Sequence, residues 1–232
     1  MILRPWEQLP DNMRTEAVWP YYAVLHKHKV SLVLKRLFDV IVSLIMLLIL
    51  WPAMLIIAIV IKTDSPGPAL FLQERVTIYG KRFKIWKFRT MVTNADKMGS
   101  QVTVSNDSRI TMVGATLRKY RLDELPQLVN ILTGDMSYVG TRPEVVKYVE
   151  RYTPEMMATL LLPAGVTSEA SIRYKDEDKL LAGAENVDEI YVNQVLPNKM
   201  VWNLNSIKRF SFARELLTII RTVRAVLGKE YR

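Results

Sequence analysis

The sequence predicts an α/β protein, mostly α, in which a proline-broken apolar helix at a membrane joins a small domain with a short β-hairpin and amphipathic interfacial helices. Three observations carry this. Val40 to Ile61, VIVSLIMLLILWPAMLIIAIVI, is apolar except for Ser43 and the mid-run Pro52. Two β-forming stretches flank a Gly-containing turn shortly after it, and later segments repeat apolar residues at helical spacing. The division that follows is an N-terminal arm, 1–34, a membrane segment, 35–62, and a soluble-looking domain, 63–232.

Met1 to Val30 carries Pro5, Pro10 and Pro20 among several aromatics, and reads as an irregular arm ending in a short amphipathic segment around Tyr21–Leu34. The apolar run would measure about 33 Å as one helix, against a bilayer core of roughly 30 Å. Pro52 has no N–H for the carbonyl four residues earlier, so a kink or reversal is expected there, with Trp51 and Pro52 at the break. Each arm would then reach only about 15 to 18 Å, too short to span alone. A tilted, kinked transmembrane helix and a buried core helix remain open on this segment alone. Basic residues on both flanks, Lys27, Lys29, Lys35 and Arg36 before and Lys62 after, suit a hairpin returning to one cytoplasmic face.

Asp64-Ser65-Pro66-Gly67-Pro68 is a dense turn signal. Ala69–Val76 and Arg82–Phe88, joined by Ile78-Tyr79-Gly80-Lys81, predict a β-hairpin, followed by a polar loop over Thr93–Ser108. Helices are expected over Val113–Lys119, over Glu124–Leu132 with Leu125, Leu128, Val129 and Leu132 on one face, over Glu144–Arg151 and over Pro154–Leu162. Shorter helical pieces fall at Asp176–Ala184 and Asp188–Asn193. The last segment, Ile207–Leu227, places Phe212, Leu216, Ile219, Ile220, Val223 and Leu227 on one stripe. Over Lys208–Arg232 seven Lys or Arg face two Glu, a composition that suits either a membrane surface or the domain core.

The 232 residues contain no cysteine and only His26 and His28, which removes disulfides and Cys-based metal sites and leaves His chemistry poor. Polar residues before the run, and no small-residue cleavage pattern after it, argue against a secretory signal. The soluble-looking part is therefore expected in the cytosol. Lys and Arg exceed Asp and Glu by 9, so partners are expected to be anionic. Net charge alone supports nucleic-acid binding and no such fold motif accompanies it, so no nucleic acid is expected as a partner.

Arg118-Lys119-Tyr120-Arg121-Leu122-Asp123-Glu124-Leu125-Pro126-Gln127 is the strongest chemical constellation. Asp123 is expected at the N-cap of the following helix, with Pro126 in its first turn. Backbone donors there could hold a carboxylate or receive a phosphate, with Arg118 and Arg121 as a bidentate clamp. Plain capping is the alternative. A second Arg at a Gly/Pro-fixed bend, Gly140-Thr141-Arg142-Pro143-Glu144, and two more cations in Lys87-Phe88-Arg89-Thr90-Met91 favour the phosphate reading.

LDELPQL-N-L-GDMS-VG-RPE, the upstream KFRTM, and the K-R-x-F-D lead from Lys35 into a proline-broken apolar segment resemble the bacterial sugar transferases, the monotopic polyprenyl-phosphate phosphoglycosyl transferases. The similarity runs in order from about Lys35 to Ile220. It implies a re-entrant membrane helix turned back within one leaflet at Pro52, and a small cytosolic catalytic domain on the inner membrane of a bacterium. It implies transfer of a phospho-sugar from a UDP-sugar to polyprenyl phosphate with Mg²⁺, through a covalent intermediate and with release of UMP. On matching positions, Asp123 would be the nucleophile and Glu124 its metal-associated partner, both near the metal. Arg118, Arg142, Lys87 and Arg89 would be phosphate contacts, with Pro143 in the same substrate motif. Trp51 stands where Ser is common, and Pro163-Ala164-Gly165-Val166-Thr167-Ser168-Glu169 stands where P-G-I-T-G-L is common. A membrane-anchored basic scaffold binding anionic lipid or partner proteins is the competing class, and homo-oligomerisation is left open.

Overall fold

The computed structural model describes residues 3–95, 107–174 and 186–226. The helical piece expected over Asp176–Ala184, most of the polar loop Thr93–Ser108 and the end of the last stripe at Leu227 lie outside the described residues. Helix α1 (Trp19–Lys27) leads into α2 (Lys29–Asp64), which contains the whole apolar run. The hairpin strands β1 (Leu70–Val76) and β2 (Arg82–Phe88) follow. Next come α3 (Met112–Lys119), a 3-10 turn (Leu122–Glu124), α4 (Gln127–Thr133) and strand β3 (Met136–Val139). After α5 (Val146–Val149) and a 3-10 segment (Met156–Leu161), strand β4 (Ala164–Thr167) leads to α6 (Glu169–Arg173). The chain continues through α7 (Val187–Ile190), a π-helical turn (Tyr191–Val195), α8 (Leu196–Lys208) and α9 (Phe212–Val226).

Helix α2 keeps helical backbone through Pro52. No non-helical turn breaks the chain there, and the helix exceeds the expected 35–62 at both ends. An interior proline costs about 3 kcal/mol, and packing along α2 offsets it. Leu32, Lys35, Asp39, Ser43 and Ile61 are buried, while Leu47, Leu50, Met54, Ile57 and Ala58 pack against the domain between them. These positions recur every three or four residues, so one face of α2 follows the domain along its length. The other face exposes Leu37, Ile41, Leu44, Leu48, Trp51, Leu55 and Ile59. By length and composition α2 could cross a membrane, and only 6% of its most apolar window is buried.

Polar groups fix both ends of α2. Lys35 Nζ donates to the Val139 carbonyl at 2.6 Å and pairs with Glu215. Arg36 donates to the Ile131 and Leu132 carbonyls at 2.6 and 2.8 Å, capping α4, and Asp39 Oδ1 accepts from Tyr138 N at 3.2 Å. The K-R-x-F-D lead is thus an anchor between helix and domain. At the far end Arg89 donates to the carbonyls of Ser65 and Pro66, both at 2.7 Å. Gly67 has φ +124, and a Cβ there would lie 2.1 Å from Arg89 Nη1, so this turn needs glycine on both counts.

The hairpin forms where expected, antiparallel, with Leu70 opposite Phe88 and Val76 opposite Arg82. Strands β3 and β4, which lack any alternation to announce them, pair in parallel, with Met136 opposite Ala164 and Val139 opposite Thr167. The helix expected over Glu144–Arg151 shrinks to Val146–Val149, and Pro154–Leu162 forms 3-10 rather than α structure. Ile207–Leu227 is two elements rather than one, because α8 ends at Lys208 before α9 begins.

The N-terminal arm is core rather than appendage. Leu3, Leu9, Met13, Val18, Tyr21, Tyr22 and Leu25 are buried with Met157, Leu161, Leu204, Ile207 and Phe210, each large side chain contributing about 1.5–3 kcal/mol. Helix α9 has the opposite sense. Its inward side is polar, with Arg221 Nη1 on Glu169 at 2.7 Å and Thr222 against Thr167 at 2.7 Å. Leu217, Ile220, Val223 and Val226 point out, 43–59% exposed.

Candidate active site

Five of the predicted site residues, Lys87, Arg118, Asp123, Glu124 and Arg142, gather where β2, the 122–124 turn and the loop after β3 meet. Asn130, buried on α4, accepts from Trp86 N at 2.9 Å and donates to the Lys84 carbonyl at 2.9 Å. It pairs with the edge of β2 as a strand would, and so holds the strand bearing Lys87 against the helix that follows Asp123. Arg121 adopts φ 56, a left-handed conformation that costs a non-glycine residue of order 1–3 kcal/mol. That turn ends the α3 segment and carries Asp123 inward.

Asp123 is therefore not the N-cap of the next helix. It lies in the 3-10 turn, and Pro126 occupies the cap of α4 without a side-chain bond. Helix α4 starts later than the expected Glu124, because the left-handed Arg121 resets the chain direction. Asp123 is 7% exposed, and its Oδ1 has no hydrogen-bond partner among the described residues.

Glu124 has the opposite surroundings. Its Oε1 accepts from Arg142 Nη2 at 2.6 Å, with Lys87 Nζ at 3.5 Å and Arg121 Nη1 at 4.0 Å. Burial would raise the Glu124 pKa, but Arg142 and Lys87 outweigh it and hold the carboxyl far below its ordinary range. For Asp123 burial prevails and pushes the carboxyl up, with Lys87 opposing and the charges of Arg118 and Arg142 also pulling it down. Burial lowers Lys87 to about 8, with Glu124 opposing. Lys87, Arg118, Arg121 and Arg142 thus face two carboxylates, an excess of positive charge suited to a multiply charged anion.

Arg89 does not join this group. Its guanidinium caps the end of α2, because β2 stops at Phe88 and the chain turns away. Trp51 and Pro52 lie in mid-α2 with exposed side chains. The Pro143 carbonyl accepts from Arg75 Nη1 at 3.3 Å, and Val76 N donates to the Glu144 carbonyl at 2.9 Å. Glu144 itself is buried and accepts from Tyr191 Oη at 2.5 Å, with Lys199 Nζ 3.1 Å from that hydroxyl. Arg75, Tyr191 and Lys199 stand in no motif of the sequence, whereas Asn130 and Glu144 stand in the quoted motifs without a role assigned there. A local signal for Asn130 is its polar side chain beside the apolar face Leu128, Val129, Leu132.

No group of three His, Cys, Asp or Glu side chains lies together as a metal cage among the described residues. The pair nevertheless fits Mg²⁺, which uses one or two carboxylates together with substrate phosphates and water. The unpartnered Asp123 oxygen is the available donor, and Glu124 stays ionised beside it.

The family model for bacterial sugar transferases matches residues 30–229. The chain belongs to that family. It is 34% identical over 197 residues to the UDP-N-acetylgalactosamine-undecaprenyl-phosphate N-acetylgalactosaminephosphotransferase of Aeromonas hydrophila, covering 84% of this chain and 44% of that one. It is 43% identical over 147 residues to the UDP-glucose:undecaprenyl-phosphate glucose-1-phosphate transferase of Escherichia coli K12, covering 62% and 32%. Against the protein of the same description in Caulobacter vibrioides it is 35% identical over 196 residues, covering 83% and 69%. The chain thus spans less than half the length of the first two.

Proposed function

We propose that this protein transfers a sugar phosphate from a UDP-sugar to a polyprenyl phosphate such as undecaprenyl phosphate, at the cytosolic face of a bacterial inner membrane, as an early step of polysaccharide assembly. The observation that carries the reading is Asp123, a buried carboxylate with an unpartnered oxygen beside Lys87, Arg118 and Arg142. The names of the relatives, all sugar-phosphate transferases acting on undecaprenyl phosphate, support it.

In the first displacement an Asp123 oxygen attacks the sugar-bearing phosphorus. The new O–P bond forms as the bond to the bridging oxygen breaks, and that oxygen leaves on UMP. In the second, an oxygen of the polyprenyl phosphate attacks the same phosphorus and the Asp123 carboxylate departs unchanged. Splitting one difficult transfer into two is the usual gain of covalent catalysis. Lys87, Arg118 and Arg142 neutralise the charge on the phosphoryl oxygens. Glu124 keeps Arg142 and Lys87 oriented. Asp123 and Glu124 would hold Mg²⁺, which when bound with the diphosphate supplies further neutralisation of its charge.

The lipid substrate requires the site at headgroup level. Both ends of α2 are fastened to one polar domain, through Lys35 and Arg36 at one end and the Arg89 turn at the other. A spanning α2 would drag that domain into hydrocarbon, where its charges and loops find no partners. We read α2 as re-entrant through a bend at Pro52 that keeps helical backbone, entering one leaflet with its exposed face in lipid, and the outward Leu217–Val226 face of α9 as lying at the same interface.

Detergent-solubilised protein with Mg²⁺, UDP-sugars and undecaprenyl phosphate should release UMP, and Asp123→Asn should abolish the release. UMP release undiminished in that variant overturns the nucleophile. Lipid-dependent binding without turnover of any UDP-sugar would instead support the scaffold.

A further inference from the structure

A cavity of about 340 Å³ lies between the Gly140–Thr141 backbone, α6, α8 and α9. None of the groups around Glu124 lines it, although Thr141 on its wall immediately precedes Arg142. Its acids are already matched: Glu169 by Arg221 at 2.7 Å and Glu215 by Lys35. Ser206 donates its proton to the Trp202 carbonyl at 2.9 Å and so can only accept from a ligand, whereas Ser211 accepts from Arg214 N at 3.3 Å and keeps a proton to give. Asn203, 4% exposed, also lines the cavity, and its Oδ1 has no partner among the described residues. Leaving a buried amide oxygen without a partner is costly, and a bound hydroxyl would recover that cost.

Donors and acceptors are mixed, Glu169, Glu215 and Arg221 are paired, and the remaining lining cation, Arg214, is an exposed residue, so the buried walls suit neither a bare anion nor an apolar chain. We propose that this cavity binds a neutral, hydroxyl-rich group, with Asn203 as its buried hydrogen-bond partner. Two sources carry that chemistry. One is the hexose of the nucleotide sugar, since Thr141 on the cavity wall is next in sequence to Arg142, and this source rests on the function proposed above. The other is the glycerol headgroup of phosphatidylglycerol, entering beside Leu217, an exposed residue of the outward α9 face that also lines the cavity; this source stands independently of the reaction.

The test uses the full chain in phosphatidylcholine nanodiscs with and without phosphatidylglycerol, comparing wild type with Asn203→Leu and with Ser206→Leu. Ser206 is an exposed residue of α8, so the second variant fills the cavity mouth and folds even if the first does not. Calorimetry reads affinity for UDP, UDP-glucose and UDP-N-acetylgalactosamine, and native mass spectrometry reads retained phosphatidylglycerol. With the hexose as ligand, the ratio of UDP-hexose to UDP affinity falls about tenfold in the variants. With the headgroup as ligand, that ratio holds and retained phosphatidylglycerol is lost. Folded variants that change neither overturn the proposal. Wild-type protein that binds neither UDP nor any UDP-hexose overturns the transferase reading instead, and lipid retention then decides the cavity.

Discussion

Asp123 and Glu124 are neighbours in sequence with opposite electrostatic surroundings. Glu124 is ion-paired to Arg142 and stays ionised, while Asp123 is buried with a free oxygen and its ionised form is disfavoured. Asp123→Asn should therefore lower transfer by about 10³-fold or more, yet leave Tm by scanning fluorimetry at or above that of wild type. A Tm well below wild type would show the carboxylate to be a structural partner. The profile of kcat/KM against pH should be bell-shaped. Its acid limb belongs to Asp123, which must lose a proton to attack, and lies above the ordinary aspartate value of about 3.9. Its basic limb belongs to Lys87, which must keep its proton to hold a phosphate, and begins near 8. Lys87→Arg should move the basic limb upward, since arginine stays protonated throughout. At this scale the sequence announced Asp123, Glu124, Lys87 and Arg142, which lie in short polar motifs next to fixed bends. It could not announce Tyr191 or Lys199, whose partner Glu144 is 47 residues away from Tyr191.

Among elements, the hairpin was legible because its β-formers and turn are local. The Asp123 turn was not, since nothing in the residue type of Arg121 signals a positive φ. Lys87 and Arg89 are two apart and would share a face on a continuing strand, but β2 ends between them. The N-terminal arm was illegible because Leu3, Leu9, Met13 and Val18 follow no helical or strand period, and only long-range packing buries them. Arg36→Ala should lower unfolding stability by about 1.5–3 kcal/mol, measured by denaturant titration in detergent, because two carbonyls at the end of α4 lose a charged donor. Asn130→Leu should reduce kcat while leaving the protein folded, because β2 and α4 lose the contact that sets Lys87 against Asp123. An unchanged kcat would show that packing alone aligns them.

For the whole molecule, the apolar run declared a membrane, but its orientation depends on where both ends attach. Both attach to one domain, with Lys29 and Thr63 exposed near the two attachments. Single cysteines at these two positions, in a chain that has none, should be labelled from the same side of sealed vesicles. Labelling from opposite sides would make α2 a span and separate the N-terminal arm from the core that it helps to form. The proposed covalent step also makes a prediction about the mass of the protein. Incubated with Mg²⁺ and its UDP-sugar but no lipid acceptor, the intact protein should gain one phospho-sugar, lose it when undecaprenyl phosphate is added, and gain nothing as Asp123→Asn. Wild-type protein that turns over UDP-sugar and undecaprenyl phosphate, yet never carries that added mass under rapid quenching, would contradict the account.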